Sequence, residues 1–121
     1  MKDSEFLKDR TKKFALRIVR LYRSLPRTEE AHIFGKQILR SGTSVGANYR
    51  AACRSRSRAE FIAKLGIVLE EADETIFWLE LIAEAGIKPL DKLQDLPQEA
   101  DELTSIFVAS LRTAKGIASG S

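Results

Sequence analysis

The sequence predicts an all-α protein: an antiparallel up-down four-helix bundle that forms a single domain over residues 1–121. Apolar residues recur at intervals of three and four along four long segments, which is the period of amphipathic helices. Hydrophobic residues make up 44% of the chain but aromatic residues only 7%, which favours a helical core of Leu, Ile, Val and Ala over a β-sandwich. The connections between the segments are short, as in antiparallel bundles.

The first helix is predicted at about residues 4–25. Its end is set by Pro26, because proline disfavours helical geometry in the residue before it. The apolar face consists of Leu7, Phe14, Ile18, Leu21 and Leu25.

The second helix is predicted at about residues 28–54, with Thr28 as its N-cap. Gly35, Gly42 and Gly46 each cost about 1 kcal/mol relative to Ala within a helix. A continuous helix is still favoured, because Gly42 and Gly46 lie one turn apart and would create a flat contact strip. A break near Ser41 and Gly42 is the alternative. The apolar face consists of Ala31, Phe34, Ile38, Val45 and Ala52.

The third helix is predicted at about residues 57–86, because Ser57 and Glu60 have the spacing of a capping box. Gly86 provides a C-terminal cap, and Pro89 prevents the helix from continuing. The apolar face consists of Phe61, Leu65, Val68, Ala72, Leu79 and Ile82.

The fourth helix is predicted at about residues 90–118, with an interruption at Pro97. Either a short helical turn covers Leu90 to Gln94 and the main helix begins with Pro97 in its first turn, or one helix is kinked there. Asp95 is a candidate cap for the first arrangement. Residues 117–121 are expected to be a frayed tail.

Charge is distributed unevenly along the chain, although the net charge is only +3. Residues 1–64 contain 16 lysines and arginines against 6 acidic residues, whereas residues 65–121 contain 4 against 11. This asymmetry favours pairing within the protomer, pairing between subunits, or an anionic partner. The single cysteine, Cys53, and the lack of a secretory or membrane-spanning pattern indicate a cytoplasmic protein with no membrane partner.

Basic residues form the candidate nucleic-acid-binding surface, because backbone affinity requires many positive charges arranged in a line. Those of the first helix and the following turn are Arg10, Lys13, Arg17, Arg20 and Arg27, flanked by Lys8, Lys12 and Arg23. A second group contains Lys36, Arg40, Arg50, Arg54, Arg56 and Arg58. The alternative is a solvated face paired with nearby carboxylates. No base-reading motif is present, so any binding should be weakly sequence-specific.

Five further residues are candidates for structural or interface roles. Glu71 and Glu74 are expected to form ion pairs with the basic helices, either inside a protomer or across a subunit boundary. Asn48 lies on an apolar stripe, so we expect it to be largely buried and to fix the register between helices. Tyr49 and Trp78 are interpreted as core or interface aromatics rather than base-stacking platforms.

The sequence contains no recognisable catalytic, metal or cofactor site. Two-metal sites in bundles use paired Glu-x-x-His motifs, and here the only histidine is His32. No nucleophile–base pair or phosphate-binding loop is visible. We therefore predict a non-enzymatic protein without a metal or cofactor.

A family resemblance lies in the second and third segments. It covers residues 37–41, 44–49 and 60–65, with Ser57 before the last of these, and then residues 70–75 and 78–81. This ordered set resembles the family called four-helix bundle protein, or 23S rRNA intervening-sequence protein. The resemblance implies an up-down bundle that assembles as a ring-like homopentamer. It also implies a relationship to the accessory variability protein of diversity-generating retroelements, which engages nucleic acid and a reverse transcriptase.

The leading functional hypothesis is a homo-oligomeric bundle that binds RNA or DNA non-specifically through its basic surface. The alternative is a protein-interaction scaffold or accessory subunit that docks a partner such as a reverse transcriptase.

Overall fold

Four α-helices make up the computed structural model, which describes residues 2–116, with side chains from Ser4 onward. They are α1 (Lys2–Ser24), α2 (Glu29–Cys53), α3 (Arg58–Glu84) and α4 (Leu96–Ala114), with a short 3-10 turn at Leu90–Leu93. The described residues contain no β-strand. The predicted all-α bundle is confirmed, and the first three helices begin and end within two residues of the predicted bounds.

The glycines of α2 do not break the helix, which is continuous over Glu29–Cys53. Their lack of a side chain allows α1 to pack closely against α2, and this packing stabilises the helix. A Cβ atom at Gly42 would lie 2.7 Å from Cγ1 of Ile18, and one at Gly46 would lie 3.3 Å from Oγ1 of Thr11. The close approach of α1 offsets the low helix propensity of these residues. The predicted contact strip is confirmed, and the alternative break near Ser41 is wrong.

The predicted helix caps of α2 and α3 are present. The Thr28 hydroxyl accepts a hydrogen bond from the Ala31 amide at 3.2 Å, and the Ser57 hydroxyl accepts one from the Glu60 amide at 3.0 Å. At the end of α3, Gly86 has a φ of 74°, and its amide donates to the Ala83 carbonyl. This positive φ is the conformation for which glycine is suited at a helix C-terminus.

The region around Pro97 follows the first predicted arrangement, a short turn and then a helix. Pro97 lies in the first turn of α4, where its missing N–H group causes no loss. Asp95 is the residue before the helix, but its side chain makes no capping hydrogen bond and pairs with Arg17 instead. The predicted interruption at Pro97 is therefore present, and α4 ends at Ala114, before the predicted end at 118. The tail predicted at 117–121 lies outside the described residues.

The core is formed by the apolar stripes of all four helices, and its fully buried members include Phe14, Ile38, Leu65 and Phe107. Adjacent helices in the chain pack against each other, with the most extensive packing between α2 and α3. α1 and α4 close the bundle, but their backbones come close at far fewer positions than those of the other neighbouring helices. This less extensive α1–α4 contact exposes charged side chains of both helices to one another.

Candidate nucleic-acid interface

Two arginines of α1 bind carboxylates of α4 and its N-cap. Nε and Nη2 of Arg10 donate to the two carboxylate oxygens of Glu99 at 2.8 and 2.6 Å, and Nη2 also donates to Glu102 at 2.8 Å. The hydrogen bond to Glu99 is the main cause of the raised pKa of Arg10. Arg17 forms an ion pair with Asp95. These two predicted nucleic-acid ligands are thus used to hold α4 against α1.

Arg40 of α2 is likewise bound within the protomer. Its guanidinium donates to Glu71 at 2.8 Å and also to Glu74. The Glu74 carboxylate also accepts a hydrogen bond from the indole of Trp78 at 2.9 Å. This bond, together with Arg40, lowers the pKa of Glu74, and the hydrogen bond to Glu74 raises the pKa of Arg40. The predicted pairing of Glu71 and Glu74 with a basic helix is confirmed.

Two further members of the predicted basic surface have local partners. Lys13 pairs with Asp9 one turn away at 2.9 Å, but both side chains are largely exposed, so the pair is weak. Nε of Arg58 donates to the carbonyl of Ala114 at 2.5 Å, at the C-terminal end of α4. A cation is favourable at that end of a helix. Lys13 therefore stays available to solvent, whereas Arg58 has a structural contact.

The remaining predicted cations are exposed and form no ion pair within residues 2–116. They are Arg20, Arg27, Lys36, Arg50, Arg54 and Arg56. Lys12 and Arg23, which flank the predicted set, are also exposed and form no ion pair within that range. These unpaired cations lie on α1, α2 and the connections that follow those two helices.

A shallow groove between α1 and α2 is lined by two of these cations, Lys12 and Arg50. It has a volume of about 230 Å³, and its small-residue floor includes Ala15, Gly46 and Ala47. Its rim carries Lys8 and Lys12 from α1 and Arg50 from α2, and no carboxylate lines it. Lys8 has a weak pair with Glu5 at 3.2 Å.

Two more cations of α2 extend this line beyond the groove. Lys36 precedes the groove residue Thr43 by two helical turns, and Arg54 follows Ala47 by two turns, so all four lie on one side of α2. We call the set Lys8, Lys12, Lys36, Arg50 and Arg54 the basic groove. From the sequence, Lys8 and Lys12 were named only as residues that flank the basic set. Both lie at helical spacing with Ala15, which is opposite the glycines of α2, and this spacing could have indicated that they line the groove.

The structural candidates divide into confirmed and corrected predictions. Tyr49 is a core residue, 5% exposed, with its ring 5.7 Å from that of Phe107. Trp78 is half-buried and packs on Phe34 at 5.9 Å. Asn48 is only partly buried, and its amide donates to the Ser44 carbonyl at 2.9 Å within α2, so the prediction of a largely buried residue is wrong.

The polar contact that joins α2 to α3 in the core was missed from the sequence. The hydroxyl groups of Ser41 and Thr75 lie 2.9 Å apart, and both residues are fully buried. Thr75 Oγ1 is also 2.8 Å from the carbonyl of Glu71. This buried pair makes the polar contact between helices that was expected of Asn48.

Among residues 2–116, no three His, Cys, Asp or Glu side chains gather where a metal ion could bind. None of the helices in that range has an apolar stretch that could cross a bilayer.

A family model described as 23S rRNA-intervening sequence protein matches residues 5–109. The chain belongs to this family. It is also similar to a crystal structure from Bacteroides thetaiotaomicron, of a protein of unknown function from the S23 ribosomal protein family. The two share 39% identity over 93% of this chain and 99% of that one, with a TM-score of 0.84. No curated protein matches the chain.

Membership confirms the resemblance noted in the second and third helices. The family match begins within α1 and ends within α4, so the whole basic groove of this 23S rRNA-intervening sequence family member lies inside the matched region.

Proposed function

We propose that this chain is a non-enzymatic helical bundle that binds the phosphate backbone of RNA or DNA along the basic groove. The observation that carries the proposal is the lining of that groove: three cations and no carboxylate around a floor of small residues. Cations elsewhere on α1 and α2, such as Arg10 and Arg40, are neutralised by α3 and α4. The groove therefore keeps positive charge available for a ligand.

The proposed binding is electrostatic. Lysines and arginines that neutralise phosphates release condensed counterions, and this release makes affinity fall with salt. Small residues on the floor allow the backbone of a strand to approach the helices. The described aromatic rings near the core, such as Tyr49, are engaged with other rings, so base stacking on them does not form part of the proposal.

The family description is consistent with this proposal, because it relates the family to intervening sequences of 23S rRNA. That name refers to the family, and the similar structure from Bacteroides thetaiotaomicron is of a protein of unknown function. The proposal therefore depends chiefly on the charges of the groove.

The proposal can be tested by measuring the affinity of the purified chain for labelled RNA and DNA at several salt concentrations. We expect log affinity to fall linearly with log salt and to vary little with base sequence. The variant Lys12→Gln, Lys36→Gln, Arg50→Gln should bind more weakly and show a slope shallower by roughly two to three.

A matched control changes three lysines outside the groove, two exposed and one partly exposed: Lys13→Gln, Lys115→Gln and Lys64→Gln. It removes the same formal charge, so a general charge effect would weaken binding equally in both triple variants. We expect the control to lose much less affinity. Equal losses in the two variants, or no binding at low salt, would contradict the proposal.

We also propose that the chain self-associates, with the homopentamer of the family resemblance as the expected form. The supporting surface is an acidic face on α3, which we define as Glu70, Asp73, Phe77, Glu80 and Glu84. All five are exposed, none has an ion pair within residues 2–116, and Phe77 is 52% exposed at the centre. An apolar centre within a charged rim is the usual composition of an interface.

Light scattering tests this assembly. A mass near five times the 13.5 kDa of the chain is expected, and Phe77→Glu should reduce it, whereas Val108→Glu on α4 should not. A monomeric wild-type protein would contradict self-association.

The same acidic face supports a second candidate function, a scaffold that docks a protein partner such as a reverse transcriptase. Copurification of one protein that survives nuclease treatment and is lost in Phe77→Glu would favour this function over nucleic-acid binding.

A further inference from the structure

A second cationic site lies between the C-terminal half of α1 and the connection from α3 to α4. It is a cleft of about 290 Å³ on the side of α1 that faces α4, whereas the basic groove lies on the side that faces α2. Its lining includes Arg17, Arg20, Lys88 and Lys92 and no carboxylate. The two sites are therefore separate, although both use α1.

The four cations of the cleft differ in their existing contacts. Arg20 and Lys92 are exposed and have no ion pair in the described part of the chain. Lys88 donates to the hydroxyl of Ser24 at 2.8 Å, and this bond draws its ammonium group toward the cleft wall. Arg17 pairs with Asp95, which does not line the cleft. A ligand would thus meet more positive charge than the protein itself neutralises there.

Backbone groups at the same place also favour an anion. Gln94 and Leu96 line the cleft and flank Asp95, the residue before α4, so the N-terminal end of α4 borders it. That end has no side-chain cap, because the Asp95 carboxylate is engaged with Arg17. Helix N-termini carry a partial positive charge and free N–H groups, and here Pro97 is the one first-turn residue that has no N–H group to offer.

The backbone at this point is in an uncommon conformation. Gln94 has a φ of 57° and a ψ of −135°, a region that residues other than glycine rarely adopt. Such strain is often found at ligand sites, where the surrounding structure enforces it. Here it directs the chain from the 3-10 turn into α4 along the edge of the cleft.

We propose that this cleft binds a small organic phosphate, such as a mononucleotide. The cations and the N-terminal end of α4 would hold the phosphate, while the side chains of Leu21, Leu93 and Leu96 provide an apolar floor for the rest of the ligand. The volume of the cleft is near the lower end of the range for ligand pockets, which suits a mononucleotide better than a larger cofactor.

The test uses calorimetry or NMR titration of the purified full chain at low salt with AMP, with inorganic phosphate and with adenosine as the uncharged control. We expect AMP to bind more tightly than phosphate and adenosine not to bind. Arg20→Gln and Lys92→Gln should each weaken AMP binding by about tenfold, the effect of one charge-assisted hydrogen bond. Both side chains are exposed, so the helical content by circular dichroism should be unchanged.

Lys12→Gln is the matched control, because it removes one exposed cation from the other side of α1. It should leave AMP binding unchanged and weaken the binding of long RNA. Lys92→Gln should weaken AMP binding and leave the binding of long RNA unchanged. Equal loss of AMP affinity in Lys12→Gln and Arg20→Gln, equal binding of AMP and adenosine, or no AMP binding would overturn the proposal.

A further pair of ligands identifies the source of the phosphate. A short oligonucleotide with a 5′-phosphate should bind more tightly than the same strand with a 5′-hydroxyl if the cleft accepts strand ends, and this difference should vanish in Lys92→Gln. Equal binding of the two strands, with AMP binding intact, would assign the cleft to free nucleotides.

Discussion

The α2–α3 pair and the α1–α4 pair are held together by different physical means. α2 and α3 pack along most of their length, with the buried Ser41–Thr75 hydroxyl pair between them and the Arg40 ion pairs at the margin. α1 and α4 come close at few backbone positions, and Arg10 and Arg17 bridge α1 to α4 and its N-cap.

Arginine–carboxylate pairs therefore contribute differently to the α2–α3 contact and to the α1–α4 contact. Around Arg40, the arginine–carboxylate pairs add to the packing of α2 against α3, which buried side chains already stabilise. Between α1 and α4 they supply a larger share of the direct contact. In both places they neutralise cations of α1 and α2, whereas Lys12 and Arg50 of the basic groove form no ion pair within residues 2–116.

The largest effect should come from Phe107, which anchors α4 in the core. It is fully buried and its ring contacts Tyr49 of α2. Phe107→Ala should lower the free energy of unfolding by about 3–5 kcal/mol. The neighbouring exposed Val108→Ala serves as control, with a change below about 0.5 kcal/mol in urea denaturation. A small effect of Phe107→Ala would mean that ion pairs, not the core, hold α4.

A smaller loss is expected when the hydroxyl pair between α2 and α3 is broken. Thr75→Val keeps the shape of the side chain but leaves the buried Ser41 hydroxyl without this partner. We expect a loss of about 1–2 kcal/mol in urea denaturation. The double variant Ser41→Ala, Thr75→Val should recover most of that loss, because no unpaired hydroxyl remains. A double variant less stable than the sum of both single changes would contradict this explanation.

The ion pairs between α1 and α4 should contribute about as much to the free energy of unfolding as the Ser41–Thr75 hydroxyl pair, or slightly less. Side chains of Arg10 and Glu99 are 22% and 19% exposed, between the surface and buried cases. Arg10→Gln should lower the free energy of unfolding by about 1–2 kcal/mol, with a smaller difference at high salt. Lys13→Gln removes a largely exposed pair and should change stability by less than about 0.5 kcal/mol. A salt-independent loss in Arg10→Gln would argue for lost packing instead.

The smallest effect concerns Glu74 and depends on pH. Its pKa in the folded protein lies below the ordinary value of 4.5, chiefly through the Trp78 indole. Its stabilisation is therefore complete above that value and is lost as pH falls through the lowered pKa. Glu74→Gln should be less stable by about 0.5 kcal/mol at neutral pH, because the site is partly solvated. The difference should vanish in acid, and a constant difference from pH 7 to pH 3 would be contrary to this assignment.

Local sequence patterns were sufficient to predict the helices. The three-four period, the Thr28 and Ser57 caps and the Gly86 end each depend on residues within one or two turns of one another. The glycine strip of α2 was also predictable, because its spacing already indicates close packing.

The candidate site was less predictable, because the state of each cation depends on residues far away in the chain. Arg10 is 89 residues from Glu99, and Ser41 is 34 residues from Thr75. A single sequence contains no signal for which of the arginines meets which carboxylate. Asn48 was misplaced because it lies at the edge of the stripe, where a helix turns from core to solvent.

Lysine footprinting tests the central claim most directly. The chain would be acetylated lightly with and without saturating RNA, and protection would be read residue by residue by mass spectrometry. The claim predicts protection of Lys12 and Lys36 in the basic groove and little change at Lys64 and Lys115. Protection spread evenly over all four lysines, or confined to the last two, would contradict it.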